Sequence, residues 1–163
     1  MEYKKATIDD IPVISKLANK IWPKAYGSII STEQLEYMLN LIYAPDALKN
    51  QIENLQHQFI IAIENETPIG YASYSLLEND TYKLHKLYIL QEFQNKGVGK
   101  NIINKIISLI DSENPIRLIL NVNRYNPSLA FYKKIGFEIS HQEDIEIGKG
   151  FFMNDYVMEK TFE

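Results

Sequence analysis

A change of hydrophobic period at a glycine-containing turn constrains this chain more than any other feature. Before the turn, apolar residues occupy short runs typical of β-strands. After it, they recur at three- and four-residue steps: Val98, Ile102, Ile103, Ile106, Ile107 and Ile110. The first pattern predicts a meander of strands and the second a helix from Gly97 to about Asp111. A strand, a turn with two glycines and a helix therefore follow each other directly.

The patterns on either side of this turn predict an α/β fold in which strands and helices alternate. The predicted strands are 3–8, 59–63, 69–77, 82–90, 116–122, 137–140 and 151–161. The predicted helices begin at Asp9 or Asp10, at Ser31, at Gly97 and at Pro127, and Pro45 ends or restarts the second. We expect one mixed, mostly antiparallel sheet of six to seven strands flanked by four to five helices, in a single domain over 1–163.

Charge and composition exclude several classes of function. The net charge of -4 gives no field that would bind a polyanion, so we expect no nucleic-acid partner. The absence of cysteine excludes disulfides, thiolate catalysis and cysteine-based zinc sites. His57, His85 and His141 stand apart from any ligand spacing, so no metal site is expected. Without a long apolar run or an apolar N-terminal segment, a cytoplasmic protein with no membrane partner is predicted.

The glycine turn, Gln94 to Gly99, has the chemistry of an anion site. Glycines at a strand-to-helix junction let the backbone approach a ligand, and the free N–H groups of the first helical turn point outward at the positive end of the helix dipole. A diphosphate suits such a site, although Gly-x-Gly alone is equally compatible with a structural turn. The P-loop and dinucleotide-binding patterns are both absent.

Two motifs together identify a family. The sequence from Gln94 to Gly99 is Gln-x-x-Gly-x-Gly, and the sequence from Asn126 to Phe137 is Asn-x-x-Leu-Ala-Phe-Tyr-Lys-Lys-x-Gly-Phe. In this order and context they resemble the two diagnostic motifs of the GNAT superfamily of N-acetyltransferases. The resemblance extends over 82–137 and, by element order, to the flanking strands. It implies the GNAT fold, acetyl-coenzyme A as cofactor and an amine as acceptor.

The resemblance also implies a set of cofactor-binding residues. The amides of the turn would cradle the pyrophosphate, and the strand before it would pair its main chain with the pantetheine arm. Asn126 would bond to that arm, but its spacing to Tyr132 is one residue shorter than the common pattern, so Asn123 or the backbone near Tyr125 is an alternative. The implied set is Leu87, Tyr88, Ile89, Gln94, Asn95, Lys96, Gly97, Val98, Gly99, Lys100 and Asn126.

Acetyl transfer needs a proton donor for the departing thiolate, and the resemblance places Tyr132 near the thioester sulfur. A phenol with an intrinsic pKa of about 10 can act as general acid without being ionised first. A main-chain N–H in the strand 87–89 is the expected oxyanion donor. His85 matches the point where some relatives carry a base, and strand alternation would put it on one face with Lys83 and Leu87. The alternative is a surface or cross-strand histidine without a catalytic role.

The acceptor is predicted to be a small amine such as a polyamine, because the early segment 22–50 and the ending 150–160 look similar to bacterial polyamine-acetylating members. Asn121 stands where other relatives carry a catalytic glutamate; it cannot act as a base but could hold a water. The candidate acceptor-site residues are Trp22, Tyr26, Asn121, Asn123, Asp155 and Tyr156, with Glu33 and Tyr37 as further aromatic or acidic walls.

Two other functions stay open at this level. A protein N-terminus or lysine could be the acceptor, or the chain could be a CoA-binding regulatory module without turnover. Exposed final strands can pair across a two-fold axis, so a homodimer is one expected assembly.

Overall fold

The glycine turn follows the fourth strand of a seven-stranded mixed sheet in the computed structural model, which describes all residues from 1 to 163. The strands are β1 (Glu2–Lys5), β2 (Gln58–Glu64), β3 (Thr67–Glu78), β4 (Thr81–Ile89), β5 (Ile116–Asn123), β6 (Glu138–Gly148) and β7 (Phe151–Phe162). The helices are α1 (Ile11–Tyr26), α2 (Thr32–Tyr43), α3 (Pro45–Glu53), α4 (Val98–Leu109) and α5 (Ser128–Lys134). The order in the sheet is β1, β2, β3, β4, β5, β7, β6. The predicted fold class is confirmed.

The chain forms two compact units, one of Met1–Ser75 with Lys86–Asp111 and the other of Leu76–His85 with Ser112–Glu163. The single domain over 1–163 therefore stays a prediction. In the first unit, α1 buries the apolar stripe expected from the sequence, including Ile14, Leu17 and Ile21. Ser31 caps α2 by accepting the Gln34 N–H at 3.1 Å, and Pro45 begins a new helix.

The second unit carries the parallel pairing of the sheet. The first half of β4 runs parallel to β5, and β7 pairs antiparallel with both β5 and β6. Residues on one face of β5, Leu118, Leu120 and Val122, are buried. The helix α5 lies against β5 and ends before Gly136, whose φ of +103° is the left-handed conformation predicted for its cap.

Most strand boundaries differ from the sequence prediction by one or two residues, and two strand ends differ by more. The first strand ends at Lys5 because Thr7 begins a capping box, in which its hydroxyl accepts the Asp9 N–H and the Asp10 carboxylate accepts the Thr7 N–H. The strand predicted at 137–140 continues to Gly148. Its residues are mostly exposed at the edge of the sheet, so no alternation of apolar residues signalled its length.

None of the helices combines the length and apolar character that a membrane span requires. No group of three or more histidine, aspartate or glutamate side chains is placed to hold a metal ion.

Candidate active site

A side-chain hydrogen bond from Gln94 and two residues in the left-handed conformation define the glycine turn. Gln94 donates from Nε2 to the carbonyl oxygen of Ile89 at 3.0 Å, which ties the turn to the end of β4. Asn95 and Gly97 adopt φ angles of +61° and +81°. Asparagine is one of the few residues that tolerates this region, and glycine enters it without strain. The sequence is therefore suited to this turn at both positions.

The amino end of α4 has main-chain donors without a helical acceptor. The first helical bond runs from the Asn101 N–H to the Gly97 carbonyl at 3.0 Å, so the N–H groups of Val98, Gly99 and Lys100 have no helical acceptor. A Cβ added to Gly97 would meet nothing within 4 Å. Lys96 and Lys100 are exposed at the same turn. Donors, positive charge and open space together fit a diphosphate group.

The strand before the turn extends past its ladder with β5. The parallel ladder joins Thr81–Leu84 to Arg117–Leu120, and β4 continues to Ile89. Leu87, Tyr88 and Ile89 lie in this last part of the strand, which belongs to the first unit. The main chain of a strand can pair with an amide-bearing ligand as with another strand.

Trp22 and Tyr26, two predicted acceptor-site residues, lie in an aromatic cluster of the first unit. They are 3% and 4% exposed, and their ring centroids are 4.6 Å apart. The Tyr26 hydroxyl is 2.8 Å from that of Tyr88 on β4. Tyr43 and Tyr71 complete the cluster, with their hydroxyls 2.7 Å apart. Both predicted residues are thus part of the core, and their contact with an acceptor stays a prediction.

Lys86 was missed by the sequence analysis. It is 8% exposed on β4 and donates from Nζ to Oε1 of Gln51 at 2.8 Å. The same Nζ lies 5.9 Å from the ring centroid of Tyr43 and 5.4 Å from that of Phe59. Burial lowers its pKa to about 8. The sequence does not reveal the residues that surround this lysine, since they come from distant segments.

Tyr132 lies on α5 in the second unit and is 7% exposed. Its ring packs edge-on against Phe137 with a centroid separation of 5.7 Å, and it contacts Phe131 at 5.1 Å. The Phe137 N–H donates to the Tyr132 carbonyl at 2.9 Å. The aromatic residues around the motif therefore fix the direction of this side chain.

The two asparagines considered for the cofactor arm are both engaged in local turns. Asn126 accepts the Ser128 N–H at 2.9 Å through Oδ1, and Asn123 accepts the Tyr125 N–H at 2.9 Å in the same way. Asn126 is half-buried, whereas Asn123 is 4% exposed. Asn126 is therefore the more accessible of the two, and its role in cofactor binding stays a prediction.

Asn121, Asp155 and Glu143 form a polar cluster across three strands of the second unit. The Asn121 Nδ2 donates to Oδ2 of Asp155 and to Oε2 of Glu143, both at 3.3 Å. Asp155 is 5% exposed, and burial first, then the charge of Glu143, raises its pKa above the usual range. Tyr156, the neighbouring candidate, is half-buried and points to the other face of β7. Two predicted acceptor-site residues, Asn121 and Asp155, are thus in contact. Glu143 belongs to the same cluster and was not predicted.

His85 lies in β4 directly after the last residue paired with β5. Exposure alternates along the strand as expected: Lys83, His85 and Leu87 are half-buried, and Leu84 and Lys86 are buried. The positive charge of Lys83 acts to lower the pKa of both Glu143 and Asp155, so Lys83 lies on the same face as the polar cluster. Strand alternation assigns His85 to that face too.

Comparisons with known proteins agree with the fold described above. The model of the GNAT acetyltransferase domain matches residues 28–160. The spermidine N(1)-acetyltransferase of Thermoplasma acidophilum is 26% identical over 168 residues, covering 100% of this chain and 98% of the relative.

Solved structures of N-acetyltransferases are similar to this chain over nearly its full length. The PaiA N-acetyltransferase of Thermoplasma acidophilum, solved in complex with coenzyme A, has a TM-score of 0.82 and 26% identity, over 99% of this chain and 98% of the other. A GCN5-related N-acetyltransferase from Rhodopseudomonas palustris has a TM-score of 0.81 at 17% identity, over 99% and 95% of the two chains, which shows the shared fold.

Proposed function

Since the chain belongs to the GNAT acetyltransferase family and is an acetyl-CoA-dependent N-acetyltransferase, we propose that it acetylates a primary amine of a small polyamine. The observation that carries this proposal is the similarity over the full length of the chain to a spermidine N(1)-acetyltransferase. The acidic side chains of Glu143 on β6 and Asp155 on β7 suit a cationic acceptor.

The turn and β4 are proposed to hold the donor. The N–H groups from Asn95 to Lys100 bind its diphosphate, and the main chain of Leu87–Ile89 pairs with its amide-bearing arm. Asn126 bonds to the same arm. The bound cofactor supplies an acetyl group activated as a thioester.

Three residues or groups are assigned to the chemistry. A main-chain N–H of Leu87–Ile89 stabilises the negative charge that develops on the acetyl oxygen. The Tyr132 hydroxyl donates a proton to the departing sulfur. His85 removes a proton from the attacking amine, which must be neutral to react.

A panel of acceptors tests the proposed substrate class. We expect spermidine, and polyamines in general, to give CoA release with a kcat/KM at least about tenfold above that of a peptide with a free N-terminus or lysine. The reason is that a polyamine offers several cationic groups to the acidic side chains. Equal or faster release with a peptide would favour a protein acceptor, and no release with any small amine would reject the proposal.

Replacement of Gly97 tests the cradle for the diphosphate. Gly97→Ala is expected to weaken CoA binding by about tenfold, because its Cβ would occupy the open space that the ligand approaches and would strain a left-handed residue. Isothermal titration calorimetry with CoA measures the change. Gly150→Ala is the matched control, since Gly150 has a φ of +75° and equally open surroundings in the β6–β7 hairpin. Equal CoA affinity in both variants would contradict the assigned cradle.

A further inference from the structure

The carboxylate of Asp155 has an unused hydrogen-bond acceptor. Its Oδ1 is buried and has no hydrogen-bond partner, while Oδ2 accepts only the Asn121 amide at 3.3 Å. A buried carboxylate oxygen without a donor is costly, because water no longer solvates it. Asp155 as a whole is 5% exposed, so this oxygen is shielded from bulk solvent. A donor, and best a charged one, would satisfy it.

The surrounding charges do not supply that donor. Arg124 forms an ion pair with Asp144, with 2.6 Å between the guanidinium nitrogen and Oδ1. Its other hydrogen bond is to the main-chain carbonyl of Asp155 at 3.3 Å. Lys83 lowers the pKa of Asp155 through its charge but forms no ion pair with it or with Glu143. The Asn121 amide is shared between the two carboxylates. The cluster therefore carries two negative groups bridged by one neutral donor.

Glu143 is the more exposed of the two carboxylates. Its side chain is 43% exposed and is bonded to His141 at 3.1 Å, whereas Asp155 lies opposite it in the β6–β7 register and is buried. Glu143 and Asp155 lie beside the end of β5, since Asp155 pairs with Asn123, the last residue of that strand. From this end the chain turns into α5 and Tyr132. A cation entering from solvent would meet Glu143 first and Asp155 next.

The geometry points to Asp155 and Glu143 as the binding site for a protonated nitrogen of the acceptor. This nitrogen is not the one that is acetylated but another one further along the polyamine molecule. This inference rests on the proposed function and deepens it by naming an anchoring subsite for a di- or polyamine. The attacking nitrogen must be neutral, and a pair of carboxylates favours the protonated form of an amine. The subsite therefore suits the non-reacting end.

Asp155→Asn tests the subsite, since it keeps the shape and removes the charge. Isothermal titration calorimetry with spermidine, without acetyl-CoA, is expected to show a dissociation constant about 10- to 100-fold higher than for the parent. In the acetylation assay the KM for spermidine should rise by the same factor. The KM for butylamine, which has no second cation, and the affinity for CoA should not change.

Glu146→Gln is the matched control because Glu146 is an exposed glutamate on β6, three positions from Glu143 and on the opposite face. It should bind spermidine as the parent does. Glu143→Gln should weaken binding about three- to tenfold, and its exposed position keeps the test valid if Asp155→Asn fails to fold.

The outcomes separate the subsite from the proposed function. Spermidine binding that is equal in the parent, Asp155→Asn and Glu143→Gln would overturn the subsite, whatever the activity. A parent that acetylates no polyamine but binds spermidine through Asp155 would retain the subsite and reject the proposed substrate. A ratio of KM for spermidine to KM for butylamine that is unchanged in Asp155→Asn would also overturn the subsite.

Discussion

Tyr132→Phe is expected to lower kcat by about 10²- to 10⁴-fold and to leave the affinity for CoA unchanged. The substitution removes one oxygen atom from the position assigned to the general acid. The ring keeps its contacts with Phe131 and Phe137, so the α5 region should remain folded. Without the hydroxyl, sulfur must leave as an unprotonated thiolate or take its proton from water, and the barrier rises.

Single-turnover acetylation of spermidine, with CoA release followed spectroscopically, measures this effect apart from product release. Tyr125→Phe is the control, because Tyr125 lies in the same segment but is 72% exposed. It should retain parental turnover. Parental turnover in Tyr132→Phe would remove the general-acid assignment. A parent chain that binds CoA tightly and turns over no amine would instead be a CoA-binding module.

The strand–turn–helix region was predictable because its signals are local. Gly97 is the N-cap of α4, one residue before the helix begins, and the apolar residues of that helix, Val98, Ile102, Ile103 and Ile106, are buried. Ser31 and Gly136 likewise mark helix ends through their own conformations and bonds to near neighbours. Each of these features depends on a few consecutive residues, which is the information that a single sequence contains.

The polar cluster of the second unit depends instead on strand register. A register shift between Ile139 and His141 sets which residues of β6 face β7, and it brings Glu143 opposite Asp155. A slip of one residue would move Glu143 to the other face of the sheet. No pattern in this exposed strand reveals the shift, so Asp155 could be proposed from the sequence, but its partner could not.

Lys86 shows the same limit for the core. Its hydrogen-bond acceptor, Gln51, is 35 residues earlier in the chain, and Gln51 is itself held by donating to the Ile42 carbonyl at 2.8 Å. The alternation of β4 indicates that position 86 faces inward, but hydropathy argues against a buried lysine. Only the packing of α3 against the strand decides the conflict. The result is a cation inside the first unit without a carboxylate partner.

Because of Lys86, the free energy of unfolding should depend on pH in the alkaline range. Burial lowers the folded-state pKa to about 8, whereas an unfolded lysine titrates at about 10.4. Between these values the unfolded chain binds a proton that the folded chain lacks, so the free energy of unfolding rises with pH across this window. Below pH 8 both states are protonated, and the folded state carries the full penalty. A difference of this size corresponds to about 3 kcal/mol.

Lys86→Met is therefore expected to stabilise the protein by about 1–3 kcal/mol at pH 7 and to remove the rise between pH 8 and 9.5. The lower end allows for the loss of the donor to Gln51. Urea denaturation at pH 7, 8, 9 and 9.5 measures both effects. Above pH 10 the comparison is confounded, because burial raises the pKa of Tyr43 and Tyr71 and stability falls as the unfolded tyrosines ionise.

The control for this experiment is Lys20→Met, on an exposed position of α1, which should change stability by no more than about 0.5 kcal/mol and leave the pH profile intact. A Lys86→Met variant that is less stable than the parent at pH 7, with a parent profile that is flat from pH 8 to 9.5, would mean that Lys86 stays charged at little cost. The Gln51 oxygen and the rings of Tyr43 and Phe59 would then solvate the ammonium group well enough to replace water.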